Sequence, residues 1–140
     1  MSETAGSNGI VIVTHGDFGK ALIKAAELIV GPIANCVGLS VDVSEGMDAA
    51  VDSIKKAVAE VKSGLGVLIL TDMFGGTPSN LSLSFLSDEV EVVSGVNLPV
   101  LLKALQRRED PLHEMAEQAL QAGIKGIVVA GEMLRKRKKG

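Results

Sequence analysis

Aromatic residues are almost missing from this chain: among 140 residues there is no Trp, no Tyr and only three Phe. Binders of single-stranded nucleic acid stack bases on aromatic rings, and sugar-binding grooves commonly use Trp or Tyr platforms, so both functions lack their usual contact surface. Positive charge is also scarce. With 14 Lys and Arg against 17 Asp and Glu, the formal net charge is −3, the wrong sign for neutralising a phosphate backbone. No nucleic-acid partner is expected. A single cysteine, Cys36, excludes an internal disulfide. The two histidines and this cysteine fall at no paired ligand spacing, and a lone Asp72 is a poor magnesium site. Neither a metal nor another cofactor is expected. No apolar run approaches the ~20 residues that span a bilayer, and the start, from Met1 to Asn8, is polar and small rather than signal-like. These absences describe a cytoplasmic protein that reaches a membrane only through a partner.

What is present is aliphatic. The hydrophobic content of 46% comes from Val, Leu, Ile, Ala and Met, and a chain of this length can bury roughly 68–70% of its unfolded surface as one domain. Residues 10–13 are four consecutive β-branched residues, bounded by Gly9 and by Thr14-His15-Gly16, the pattern of a short strand buried on both faces. A helix follows over about 17–30, with Phe18, Leu22, Ala25 and Ile29 at helical spacing and a stop at Gly31-Pro32. Residues 37–43 read as a second strand nearer the sheet edge. Ser44 then caps a helix whose stripe of Ala50, Val51, Ile54, Ala57, Val58 and Val61 ends at Gly64. Residues 67–70 mirror the first strand.

Residues 81–85 alternate with period two and by pattern alone read as a strand. They are assigned to a helix instead, because Thr77 is a good N-cap, Pro78 suits the first helical position, and a parallel sheet needs a crossover before the strand at 90–93. Val96-Asn97-Leu98-Pro99 opens the next helix, Asp110-Pro111 starts another that ends at Gly123, and residues 127–130 read as a last short strand. The domain boundaries expected are a disordered extension over 1–8, one domain over 9–131 and a basic tail over 132–140, read as solvated and frayed.

Alternating strands and helices of this kind give a three-layer α/β/α domain with a mostly parallel sheet. Right-handed crossovers allow the order 2-1-3-4, with the first and third strands adjacent where the winding reverses, and chemistry belongs at their carboxyl ends. Two polar groups of residues stand there: Thr14-His15-Gly16-Asp17 and Thr71-Asp72-Met73-Phe74-Gly75-Gly76-Thr77-Pro78. In this topology Asp72 faces His15, and an aspartate that holds one imidazole nitrogen leaves the other as a nucleophile. Gly16, Phe74, Gly75 and Gly76 form loops leading into helix N-termini, where backbone N–H groups favour an anion, and the Thr77 hydroxyl adds a donor. Phosphoryl transfer needs such donors around the equatorial oxygens. Taken singly, each residue has an ordinary structural reading: His15 as a turn residue, Asp72 as a cap, and the glycine pair as a loop needing positive φ. His113 has no comparable neighbours and reads as a surface residue. Gly16-Asp17-Phe18-Gly19-Lys20 fails the P-loop spacing at Thr14 and Ala21.

Residues 10–16, residues 71–80 through Phe74-Gly75-Gly76-Thr77-Pro78, and Gly95-Val96-Asn97-Leu98-Pro99 together resemble the mannose-family IIA domain of the bacterial phosphoenolpyruvate-dependent sugar phosphotransferase system. The resemblance runs from about Gly9 to Gly131. It implies that His15 is phosphorylated by the histidine phosphocarrier protein and discharges to a IIB component, that Asp72 orients His15, and that Thr77 lies at the phosphoryl site. It also implies a homodimer in which the last strand, at 127–130, is exchanged between subunits and runs antiparallel to the rest, consistent with a short edge strand otherwise unprotected. Any membrane contact would then be indirect, through the IIC and IID components. Many relatives carry an Ala/Pro-rich linker and a IIB domain next; here Arg135-Lys136-Arg137-Lys138-Lys139 follows instead, and the expected IIB partner is a separate protein. Two other readings stay open: a regulatory module whose His15 phosphorylation state controls a partner without sugar transport, and a small hydrolase built on the His/Asp pair, which lacks a Ser, Cys or metal nucleophile.

Overall fold

The protein is represented by a computed structural model that describes residues 6–139. In chain order the elements are β1 (Ser7–His15), α1 (Phe18–Val30), β2 (Cys36–Val41), α2 (Met47–Val61), β3 (Gly64–Thr71), α3 (Thr77–Leu83), β4 (Val90–Ser94), α4 (Leu98–Gln106), α5 (Leu112–Lys125) and α6 (Ala130–Lys139). The four strands form one sheet in the order β2-β1-β3-β4, and every neighbouring pair is parallel. Each strand exits toward a helix that must return to the sheet's amino end, so the helices cover both faces.

The two cores follow from the strand period of two. Ile10 and Ile12 of β1, with Leu68 and Leu70 of β3, meet Leu22 and Ala26 of α1, Leu101 and Ala104 of α4, and Met115 and Ala119 of α5. The alternate residues Val11, Val13, Val67 and Ile69 meet Ile54, Ala57 and Val61 of α2 and Leu81 of α3. All eight of these strand residues are fully buried, which is why both runs lack polar alternation. At Gly38 on the edge strand β2, an added Cβ would stand 2.9 Å from the Lys20 nitrogen; the missing side chain lets the first turn of α1 lie on the sheet.

The period-two stretch after Pro78 is helical as far as Leu83: the crossover that the parallel β3 and β4 require outweighs local alternation. The caps differ from expectation in two places. Gly76 rather than Thr77 caps α3, and α2 begins at Met47 behind Gly46, not behind Ser44. The Ser44 N–H donates to Asp42 Oδ1 at 2.9 Å, closing a local turn, and Gly46 at φ +103° redirects the chain into the helix.

Both ends of the domain also depart from expectation. Residues 1–5 of the expected disordered extension lie outside the described residues, but Ser7 and Asn8 belong to β1. Asn8 is fully buried. Its Nδ2 donates to the carbonyls of Arg108 (3.0 Å) and Asp110 (2.8 Å), and its Oδ1 accepts the Gly66 N–H at 2.9 Å. Arg108 returns the contact, donating to the carbonyls of Asn8, Ala34 and Asn35. Asn8→Ala strands the buried Gly66 N–H and the Asp110 carbonyl, while the Arg108 carbonyl keeps the residue-8 backbone N–H; it should cost about 2 kcal/mol, read as a lowered denaturation midpoint at unchanged slope.

The expected strand at 127–130 is absent. Ile127, Val128 and Val129 are irregular and largely exposed, and Ala130–Lys139 is helix rather than a frayed tail. A strand exists only by pairing with an edge, and the four strands of this chain leave residues 127–129 unpaired. The residues from Glu132 on, rich in Lys and Arg, are good helix formers.

Candidate functional site

The sheet order puts β1 beside β3 where the winding reverses, and the register pairs Val13 with Thr71. His15, two residues beyond Val13, and Asp72, one beyond Thr71, emerge side by side at the carboxyl ends. Asp72 Oδ2 lies 2.7 Å from His15 Nδ1 and also accepts the His15 backbone N–H at 3.0 Å. Asp72 Oδ1 accepts the Met73 N–H at 3.1 Å. The His15 side chain is 57% exposed, whereas that of Asp72 is 15% exposed.

Burial alone would raise the Asp72 pKa, but the backbone and ring hydrogen bonds from His15 and the charge of that ring outweigh it and hold the carboxyl below the ordinary value. An ionised carboxylate only accepts, so Nδ1 carries the proton, and in the neutral ring Nε2 keeps its lone pair. This is the geometry of an oriented imidazole nucleophile.

The surrounding loops are tightly fixed. Thr14 is fully buried, and its Oγ1 accepts the Gly19 N–H at 2.9 Å, tying the first turn of α1 to the end of β1. Gly16 then turns the chain at φ +52°. On the other side, Gly75 has φ +90°, and Gly76 lies against the imidazole: an added Cβ would sit 3.1 Å from His15 Cε1. Thr77, the first residue of α3, directly follows Gly76 and is half-buried. Phe74 is also placed in this loop, but its ring points outward at 73% exposure, so only its backbone can face an anion.

Of the residues singled out in the sequence, the structure thus brings His15, Asp72 and Gly76 into contact, with Gly16, Gly75 and Thr77 adjoining them. His113 stands apart on α5, exposed, in a groove with Glu91 and Glu117. Sequence reasoning missed the buried hydroxyls beneath the loop, where Thr71 Oγ1 donates to Ser94 Oγ at 2.8 Å and Ser79 Oγ lies 3.1 Å from the same atom. Their only signal is a hydroxyl residue at the end of each of two apolar strands.

An exposed histidine held by an aspartate at the switch point of a parallel α/β sheet defines a small α/β domain with one free imidazole nitrogen at its carboxyl edge. The family described as "PTS system fructose IIA component", EIIA-man, matches residues 9–120. The fructose-specific EIIA component of Bacillus subtilis is 34% identical over 102 residues, 71% of this chain and 70% of that protein. The mannose-specific EIIAB component of Escherichia coli is 31% identical over 122 residues, 84% of this chain and 38% of that longer protein. The solved IIA protein associated with the fucose utilization operon of Streptococcus pneumoniae has a TM-score of 0.79 at 26% identity, covering 94% of this chain and 98% of that one. The chain belongs to this family, the mannose-type EIIA components of the sugar phosphotransferase system. Among the described residues no helix is long and apolar enough to cross a membrane.

Proposed function

We propose that this chain is a phosphocarrier that takes a phosphoryl group onto Nε2 of His15 from the histidine phosphocarrier protein and passes it to a IIB component. The observation that carries this reading is the 2.7 Å contact of Asp72 Oδ2 with Nδ1. It leaves Nε2 as the unprotonated nitrogen of an exposed ring. In the step, the Nε2–P bond forms as the phosphorus bond to the donor imidazole breaks, and Asp72 balances the positive charge that builds on the His15 ring. Gly16, Gly75, Gly76, the backbone of Phe74 and the Thr77 hydroxyl line the space for the phosphoryl oxygens. Phe18, Met73 and Phe74 expose apolar side chains around the histidine, a rim suited to a protein acceptor rather than to a sugar.

The homodimer belongs to the same reading. Ile127, Val128 and Val129 are each at least half exposed, and β4 pairs on one side only. A second copy whose residues 127–130 add antiparallel to that edge, with Ala130 released from the first turn of α6, would cover both features. One folded body that begins with β1 at Ser7, a basic C-terminal segment over 132–140 and a cytoplasmic location complete the proposal.

The test is incubation with phosphoenolpyruvate, the general phosphotransferase and the histidine carrier, then with candidate IIB proteins. An acid-labile, alkali-stable adduct that discharges to one of them is expected; a chain that stays unlabelled ends the proposal. A finer check is Gly76→Ala. Gly76 has φ −80°, which Ala adopts without strain, so stability should stay within about 1 kcal/mol. The added Cβ displaces the ring, and uptake should slow about tenfold, measured as the initial rate of labelling.

A further inference from the structure

We propose that Ser94 is a positioning residue for the phosphoryl site, its hydroxyl clasping both flanks of the loop that carries Asp72, Gly75 and Gly76; this rests on the reading of His15 as the phosphorylated residue. The loop leaves β3 after Thr71 and enters α3 at Thr77. Thr71, just before it, donates its hydroxyl to Ser94 Oγ at 2.8 Å. Ser79, in the first turn after it, places its own hydroxyl 3.1 Å from the same oxygen. Thr71 and Ser79 are both fully buried, and Ser94 is the last residue of β4. One oxygen on a neighbouring strand thus ties both ends of a five-residue loop, 72–76.

The two flanks depend on Ser94 to different degrees. Thr71 is also held through its carbonyl, which accepts the N–H groups of Gly95 and Val96 at 2.9 Å each. The start of α3 has no such backbone tie to the sheet among the described residues, and beyond Ser79 it rests on the packing of Pro78 and Leu81. Loss of the Ser94 hydroxyl therefore leaves Asp72 on His15 and loosens Gly76 and Thr77. A buried hydroxyl left without its partner favours any rearrangement that re-satisfies it, and a small displacement of groups aimed at a transferring phosphoryl is costly in rate.

Two measurements on the full chain test this, each comparing Ser94→Ala with Ser94→Thr, which keeps the hydroxyl. In the first, amide hydrogen exchange is read at Asn80, whose N–H makes the opening α3 bond to the Gly76 carbonyl. Ser94→Ala should speed it about tenfold, with Ser94→Thr near the parent and the Nδ1–H tautomer of His15 unchanged in both. In the second, phosphoryl uptake is followed against donor concentration well below the melting temperature. Ser94→Ala should lower kcat about tenfold with KM for the donor within about twofold, and Ser94→Thr should restore most of the rate. Unchanged exchange at Asn80, parent-level transfer by Ser94→Ala, or a Thr variant as slow as the Ala variant overturns the proposal. A parent chain that takes up no phosphoryl group overturns the reading of His15 instead, and the exchange measurement then decides the clasp alone.

Discussion

His15→Ala abolishes phosphoryl uptake: labelling from phosphoenolpyruvate through the histidine carrier should fall by more than about 10³-fold, the scale of losing the nucleophile itself. Among the described residues no second group stands ready to replace it. Asp72 is engaged with backbone N–H groups through both oxygens, and His113 lies on α5 in a separate groove. The fold should survive. The His15 ring is more than half exposed and its recorded side-chain hydrogen bond is to Asp72, an exposed pairing of the kind that contributes about 0–1 kcal/mol. Thermal unfolding of the variant should therefore stay close to that of the parent, and His113→Ala should label normally. Residual labelling of His15→Ala would place the accepting group elsewhere.

Asp72→Asn should slow transfer about 10²–10⁴-fold, the range seen when the orienting carboxylate of a histidine is neutralised. The reason lies in the hydrogen bonds. Asp72 Oδ2 accepts from the His15 N–H and faces Nδ1, while Oδ1 accepts from the Met73 N–H. An amide placed either way sets its NH2 against one of those backbone donors. Turned toward the ring, the NH2 also donates to Nδ1, which moves the ring proton to Nε2 and removes the nucleophilic lone pair. The charge that balances the phosphorylated ring is lost as well. A pH signature accompanies the substitution. Because folding lowers the Asp72 pKa, its contribution is complete above the unfolded carboxylate value and is lost as pH falls through the lowered folded value. The acid limb of the parent's stability curve should therefore be steeper than that of Asp72→Asn.

The meeting of His15 with Asp72 was readable in the sequence because its determinants are local or topological. Residues 10–13 and 67–70 announce buried parallel strands by lacking polar alternation, and a 2-1-3-4 order then brings His15 and Asp72 together without any knowledge of side-chain geometry. The helix at Thr77 was recoverable because the crossover demanded it against the period-two pattern. The remaining features depend on pairings that no window contains. Asn8 reaches Arg108 across 100 residues, so its burial left no trace in a polar, glycine-containing start. Ser94 meets Thr71 and Ser79 only because β4 lies beside β3. Residues 127–129 carry strand-forming side chains, but strand formation requires an edge, and the edges of one chain did not supply it.

The phosphorylated chain, labelled with ¹⁵N in its histidines and read by phosphorus–nitrogen coupling in NMR, tests the central claim most directly. The arrangement of Asp72 on Nδ1 predicts a phosphoryl group on Nε2 of His15, with Nδ1 still protonated toward the carboxylate. A phosphoryl group on Nδ1 of His15, or on His113, would contradict it.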